Sequence, residues 1–342
     1  MPFNVLVTAA SRRVPLVRAF RRAVASLGGR VVVCDVNPLS PAVHVADAAY
    51  RVPLAADAEY LDRVYDVCRL ERIDLLVPTI DDELPLFGRA TSALERMGVK
   101  VAVSPATTSL ICNDKYALCK HLRAEGIPAA ESWLPDELPA DPSFPLFIKP
   151  REGRGGVSVF PVRTRRELDF FLEYVGHPVV QEFLIGREYT IDMLCGFDHR
   201  PRAVVPRERI VVRAGVTDRG RTANDPSLIQ LALDCASVLD FVGAVNIQCR
   251  VVGGTPVVFE INPRFSGGIP LTIAAGADFP RILVDLACGH AVPPSIGLFQ
   301  DDLCMTSYED AVYLERSDLA TLRLPSEVVA PKPWPVLTRQ VA

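Results

Sequence analysis

Residues 246–264 read NIQCRVVGGTPVVFEINPR. Two runs of alternating character flank the turn signal Gly253-Gly254-Thr255-Pro256, which predicts a β-hairpin. Side chains alternate faces along a strand, so Glu260 and Asn262 share one face while Phe259 and Ile261 point the other way, into a core. Asn246, Gln248 and Arg250 likewise share a face. A hairpin centred on Gly254 sets Gln248 opposite Glu260 and Asn246 opposite Asn262, and a slip of one residue would break that arrangement. One carboxylate and three amides then gather on a polar face. Hard cations such as Mg²⁺ bind oxygen, commonly one or two carboxylates together with phosphate oxygens. A solvated sheet face would explain the alternation, but not the run into Pro263-Arg264 and then Ser266-Gly267-Gly268.

Upstream, residues 145–159 (PLFIKPREGRGGVSV) place Lys149 on a strand that runs into a glycine-rich loop. The backbone freedom of Gly153, Gly155 and Gly156 lets N–H groups converge on phosphate oxygens, and Lys149 adds a point charge. No GxxxxGK[ST] is present, so this is not a P-loop. Between the two segments, residues 179–192 (VVQEFLIGREYTID) put Glu188, Thr190 and Asp192 on one strand face. An acidic residue there can accept hydrogen bonds from ribose hydroxyls. Taken alone, ordinary edge-strand charge explains it equally well.

The first 110 residues alternate strands (4–8, 30–35, 74–77, 100–103) with helices (15–27, 60–69, 83–97), which predicts βαβ units and a parallel sheet. The first turn, Thr8-Ala9-Ala10-Ser11-Arg12, lacks the glycines of a dinucleotide-binding fingerprint. Asp81-Asp82-Glu83 reads as a loop and helix start favoured by the helix dipole. Further on, residues 114–125, 226–239 and 279–287 read as helices, 145–192 as short antiparallel strands, and 303–314 as a last strand.

The whole-chain figures narrow the function classes. With 342 residues the chain is long enough for two or three domains. A net charge of −4 offers no general attraction for nucleic acid. No apolar run reaches the ~20 residues of a membrane span, and residues 1–8 are too short for a secretion signal. Nine scattered cysteines without a CxxC pair predict reduced thiols in a cytoplasmic protein. Of 37 basic residues only Lys100, Lys115, Lys120, Lys149 and Lys332 are lysine, which draws the eye to each one retained.

Together these segments resemble the ATP-grasp superfamily, particularly its carbamoyl phosphate synthetase large-subunit-like and biotin-carboxylase-like branch. The resemblance runs in family order over roughly residues 1–310. It includes Pro78–Leu84 (PTIDDEL), then Asn113-Asp114-Lys115 followed by Gly126-Ile127-Pro128. It implies an α/β and α+β architecture: a pre-ATP-grasp α/β domain (1–110), grasp subdomain A with the glycine-rich loop (111–183), and subdomain B with metal and substrate groups (184–322). A Pro-rich tail (323–342) follows, expected to be mobile or a docking strap.

By the same resemblance Lys115 and Lys149, with Gly153, Gly155 and Gly156, would contact ATP phosphates. Glu182, Phe183 and Leu184 would read adenine, and Glu188 would hold the ribose. Gln248, Glu260 and Asn262 fall on Mg²⁺ positions, with Mn²⁺ an allowed substitute. Arg264 falls on the arginine that steadies the transferred phosphate. Arg213, Gly267 and Gly268 are candidates for contact with the substrate carboxylate.

The implied activity is carboxylate activation by Mg-ATP, giving an acyl phosphate and ADP, followed by attack of an amine to form an amide. The partners would be small-molecule carboxylate and amine substrates, with no nucleic acid or membrane, and a homodimer is allowed. The chain holds one grasp unit, no amidotransferase motif and no biotin-attachment region, so the resemblance fixes the chemistry more firmly than the substrate. Two alternatives stand beside this reading: an ATP-grasp enzyme with another acceptor such as bicarbonate, and a nucleotide-binding regulatory protein without turnover.

Overall fold

Continuous apolar runs flanked by amphipathic helices build the first layer. β1 (Asn4–Thr8), α1 (Val14–Ala25), β2 (Val31–Asp35), β3 (Ala48–Arg51), α2 (Tyr60–Leu70), β4 (Ile73–Val77), α3 (Leu84–Arg96) and β5 (Lys100–Val101) form a five-stranded sheet in the order β3-β2-β1-β4-β5. Every pairing in it is parallel. β1 and β2 are buried along their whole length, as strands covered on both faces must be. The computed structural model describes residues 2–153 and 155–315. The Pro-rich tail named above lies outside them.

The chain continues through α4 (Ala106–Asn113), α5 (Lys115–Ala124), β6 (Ser132–Trp133), β7 (Leu146–Pro150), β8 (Phe160–Val162), α6 (Arg165–Tyr174) and β9 (Pro178–Glu182). Their strands make an antiparallel sheet in the order β6-β9-β7-β8. Residues 183–186 then cross to a second antiparallel sheet. Its elements are β10 (Arg187–Cys195), β11 (Pro201–Arg213), β12 (Val216–Thr222), β13 (Gly243–Val252), β14 (Thr255–Asn262) and β15 (Cys304–Thr306). They are ordered β14-β13-β10-β11-β12-β15.

Each face of this six-stranded sheet has its own task. Ile191, Met193, Val245, Ile247 and Cys249 point into a core shared with α7 (Pro226–Val238) and α5. On the other face, Leu194, Val205 and Ala244 join the core of the parallel sheet. There they meet Phe265 and the helices α8 (Ile269–Ala274) and α9 (Phe279–Ala287). The remainder of that second face is polar.

Several expectations are corrected. β3, α4 and α6 were not anticipated. β3 is only four residues with half-buried flanks, too short to show a period. α6 carries a Thr164 cap and a strong apolar stripe, inside a segment read as strands alone. β11 and β12 were missed because their charged residues masked strand alternation. The expected last strand shrinks to Cys304–Thr306. All nine cysteines are free, and seven are buried. Among the described residues no helix is long and apolar enough to cross a membrane.

Candidate active site

The hairpin β13–β14 pairs Asn246 with Asn262 and Gln248 with Glu260, the register expected from the sequence. The turn end follows a different register, with Cys249 opposite Val258 and Val252 opposite Thr255. A bulge at Phe259 takes up the difference. Phe259 is half-buried there: it packs against the core, as expected, and also lines the cleft, while Val258 takes the fully buried position. Bulges re-aim side chains in this way.

Pairing extends the polar rows across four strands. Arg207 lies opposite Thr190, Thr190 opposite Gln248, and Gln248 opposite Glu260. The next row runs from Asp192 to Asn246 to Asn262. Asn262 Nδ2 donates to Glu260 Oε1 at 3.1 Å. Asn246 Oδ1 is buried without a hydrogen-bond partner among the described residues. An orphaned buried oxygen beside one carboxylate and two further amides is a hard-oxygen donor set that fits Mg²⁺ sharing phosphate oxygens. No group of three His, Cys, Asp or Glu residues suited to a metal occurs among the described residues, so softer metals find no such cluster.

A cleft of about 1070 Å³ opens over this face, walled on the other side by β7 and the glycine-rich loop. Lys149, on β7, is 4% exposed and donates from Nζ to the Phe259 carbonyl at 3.3 Å. Burial pushes its ammonium down to about 8, against the upward pull of Glu260, Cys119 and Glu188. Lys115 opens α5 and donates to the Gly153 carbonyl at 2.8 Å. The preceding Asp114 caps that helix through the amides of Tyr116 and Ala117, and pairs with Arg151 at 2.6 Å. Burial would raise the Asp114 carboxyl, yet Arg151 and the two amides hold it below the usual range. The loop is thus tethered at its start. Gly153, Gly155 and Gly156 have φ of 116°, 75° and 68°, the left-handed region open to glycine. Across the cleft, Gly215 in the β11–β12 turn comes so near that a Cβ on it would lie 3.3 Å from the Gly155 backbone.

Phe183 and Leu184 line the cleft where the two antiparallel sheets join, with Phe183 6.0 Å from Phe147 between ring centroids. Glu182 also lines it, and its carboxylate accepts from the Glu131 amide at 2.8 Å. Glu188 is held from both sides, by Arg209 at 3.2 Å and Arg250 at 2.6 Å. Arg264 donates to both Asp81 oxygens, with Nε at 3.0 Å from each and NH2 at 2.8 Å.

The cleft therefore gathers Lys115, Lys149, Gly153, Gly155, Gly156, Glu182, Phe183, Leu184, Glu188, Gln248, Glu260, Asn262, Arg264 and Gly267. Two candidates stand elsewhere. Arg213 is solvent-exposed outside the cleft lining and sits 3.5 Å from Glu309. Register shifts around Val211 break the β11 alternation, so Arg209 and Val212 reach the cleft instead. Gly268 packs on the Arg207 guanidinium, where a Cβ would come within 2.3 Å of NH1; its glycine is required by packing. Sequence reasoning missed Arg13, favoured Arg213 over its neighbour Arg209 in the same arginine-rich stretch, and gave Asp81 only a dipole role. Asp81 was recoverable only through Arg264, which lies 183 positions away.

Residues 176–310 match the family described as ATP-grasp in the biosynthetic pathway with Ter operon, and residues 5–102 match the PylC-like N-terminal domain. The carbamoyl phosphate synthase large chain of Agathobacter rectalis is 25% identical over 282 residues, covering 76% of this chain and 26% of the relative. The chain thus spans about a quarter of the length of that curated relative. Biotin carboxylase from Campylobacter jejuni, solved as a β-γ-ATP complex, superposes with a TM-score of 0.70 at 14% identity, covering 88% of this chain and 74% of that one. An L-amino acid ligase from Bacillus licheniformis gives a TM-score of 0.66 at 18% identity, covering 83% and 74%. On fold and family matches, residues 176–310 belong to an ATP-grasp family behind a PylC-like N-terminal domain at 5–102, and the chain is similar to one grasp unit of the carbamoyl phosphate synthase large-chain-like and biotin-carboxylase-like branch.

Proposed function

We propose that the chain is an ADP-forming, ATP-dependent ligase that activates a carboxylate as an acyl phosphate for attack by an amine. The observation that carries this reading is a single cleft with two opposed walls. One wall bears lysines and a glycine-rich loop suited to phosphates, and the other bears the hard-oxygen set around Glu260.

In this reading residues 182–184 offer backbone groups to adenine. Glu188 accepts from the ribose, since each carboxylate oxygen held by an arginine keeps a further lone pair. Lys115, Lys149 and the loop amides hold the phosphates. Gln248, Glu260 and Asn262, with Asn246 beside them, would hold Mg²⁺, or Mn²⁺ in its place, which supplies charge neutralisation and alignment of phosphate oxygens. A substrate carboxylate oxygen bonds to the γ-phosphorus as the bond to the β-γ bridging oxygen breaks, and ADP leaves. An amine nitrogen then bonds to the acyl carbon, phosphate departs, and the nitrogen loses a proton. No protein nucleophile is required; the chain's own work is positioning, fixed charge and exclusion of water.

The amine acceptor is compatible with a fold shared with an L-amino acid ligase. The setting proposed is cytoplasmic. The matching division of the chain is an N-terminal domain at 1–110, with grasp subdomains at 111–183 and 184–322. The test is release of ADP from MgATP with pools of carboxylates and amines, with hydroxylamine added to trap the acyl phosphate as a hydroxamate. ADP and a hydroxamate are expected; AMP and pyrophosphate would replace the mechanism with adenylation.

A further inference from the structure

We propose that Arg13 binds the carboxylate of the substrate, in a subsite for a small monocarboxylate with an apolar body at the Arg264 end of the cleft. This rests on the ligase reading and adds which residue holds the acid.

Two guanidiniums, Arg13 and Arg264, line this end. Arg264 is matched in charge, because Asp81 takes both its Nε and NH2. Arg13 has no carboxylate partner of its own among the described residues. Its NH1 donates to the carbonyls of Phe265 at 3.0 Å and Ser266 at 3.2 Å, and its NH2 to that of Thr79 at 3.0 Å. Neutral carbonyls aim a guanidinium without cancelling its charge. Three of its five N–H groups are used, which leaves two for a ligand. Burial and repulsion from Arg264 both disfavour its cationic form, and Asp81 offsets only part of this. The pair of arginines around one aspartate therefore leaves one half-buried positive charge without a carboxylate of its own. A carboxylate is the planar anion a guanidinium fits.

Apolar side chains stand beside the segment that Arg13 holds. Val216 stands against Gly267, with Cγ1 2.7 Å from where a Cβ would sit, and Val212 and Ala214 continue the surface within the cleft. Val212 and Val216 remain 44% and 45% exposed, so their surface is open to an apolar body.

A different role for Arg13 would be a strut joining the β1–α1 turn to the segment after β14. Calorimetric titration on the full chain loaded with MgADP separates the two. The probes are the twenty protein amino acids and straight-chain monocarboxylates from acetate to hexanoate, each beside its carboxamide. Wild type is expected to bind at least one apolar-bodied carboxylate in preference to its carboxamide. Arg13→Met should lose at least about ten-fold of that affinity, the scale of losing a charge-assisted hydrogen bond, with MgADP affinity unchanged within about two-fold. Arg13→Lys should recover part.

Equal carboxylate affinity in wild type and Arg13→Met overturns the proposal. So does a wild type that binds MgADP but none of the panel. A fall in melting temperature with an unchanged carboxylate-to-carboxamide ratio makes Arg13 a strut and also overturns it. Should Arg13→Met not fold, Arg13→Lys and Arg13→Gln carry the same comparison. Failure of wild type to bind MgADP instead strikes the ligase reading itself.

Discussion

Arg264 clasps Asp81 across 183 positions of sequence, with both carboxylate oxygens engaged and the side chains 13% and 8% exposed. The pair bolts the end of the β13–β14 hairpin to the parallel sheet. Removing one partner of a buried pair typically costs about 3–5 kcal/mol, although Arg13 beside Asp81 offsets part of the loss of Arg264. Asp81→Asn and Arg264→Met should therefore each lower stability in urea unfolding. The double variant should lose clearly less than the two single losses added together. Strict additivity would show that the pair is not coupled.

Glu260 is the carboxylate of the oxygen donor set; among the described residues it accepts a hydrogen bond from Asn262 Nδ2 and faces the Lys149 ammonium electrostatically. Glu260→Gln keeps the shape and removes the charge. Turnover should fall by roughly a hundred-fold or more, the scale of losing one preorganised electrostatic group. The melting temperature should barely move, and the Mg²⁺ concentration for half-maximal activity should rise. Near-native activity with unaltered Mg²⁺ dependence would remove Glu260 from the metal set.

Lys149 reaches a phosphate only as a cation, and burial brings its ammonium down to about 8. As pH rises through that value the free protein loses the charge, so MgADP affinity should weaken progressively between about pH 7.5 and 9.5. Lys149→Met should bind more weakly throughout and lose that part of the pH dependence. The readout is the MgADP dissociation constant across the series; identical slopes for both proteins would contradict the assignment.

Glu83 sits buried behind Asp81 and accepts from the hydroxyls of Thr8, at 2.7 Å, and Tyr60. Burial pushes its carboxyl up to about 7, against those hydrogen bonds. The folded state thus holds a proton that the unfolded chain releases near pH 4.5. Stability from this group is fully present below about pH 4.5 and is lost as pH rises through about 7. Glu83→Gln removes that dependence. It should be more stable than wild type at pH 8, by roughly 1–3 kcal/mol, with the gap closing toward pH 4.5. Parallel stability–pH curves for the two proteins would contradict this.

The long buried elements were legible from sequence because burial imposes a period. β1 and the β13–β14 hairpin emerged where expected, and with them the pairing of Gln248 with Glu260. The bulge at Phe259 was not legible, since one extra residue leaves the local pattern of apolar residues intact. Nor was the location of Arg213, because the shifts around Val211 depend on the pairing of β11 with β12. Arg13 carries no local signal, and Asp81 signals locally only a helix start. Each meets a partner more than 180 positions away, after the hairpin docks on the parallel sheet.

Oxygen transfer tests the central claim most directly. With a substrate carboxylate labelled with ¹⁸O, passage through an acyl phosphate moves one label into the inorganic phosphate released beside ADP. Labelled phosphate is the result expected. Label appearing in AMP, or phosphate free of label, would contradict the account.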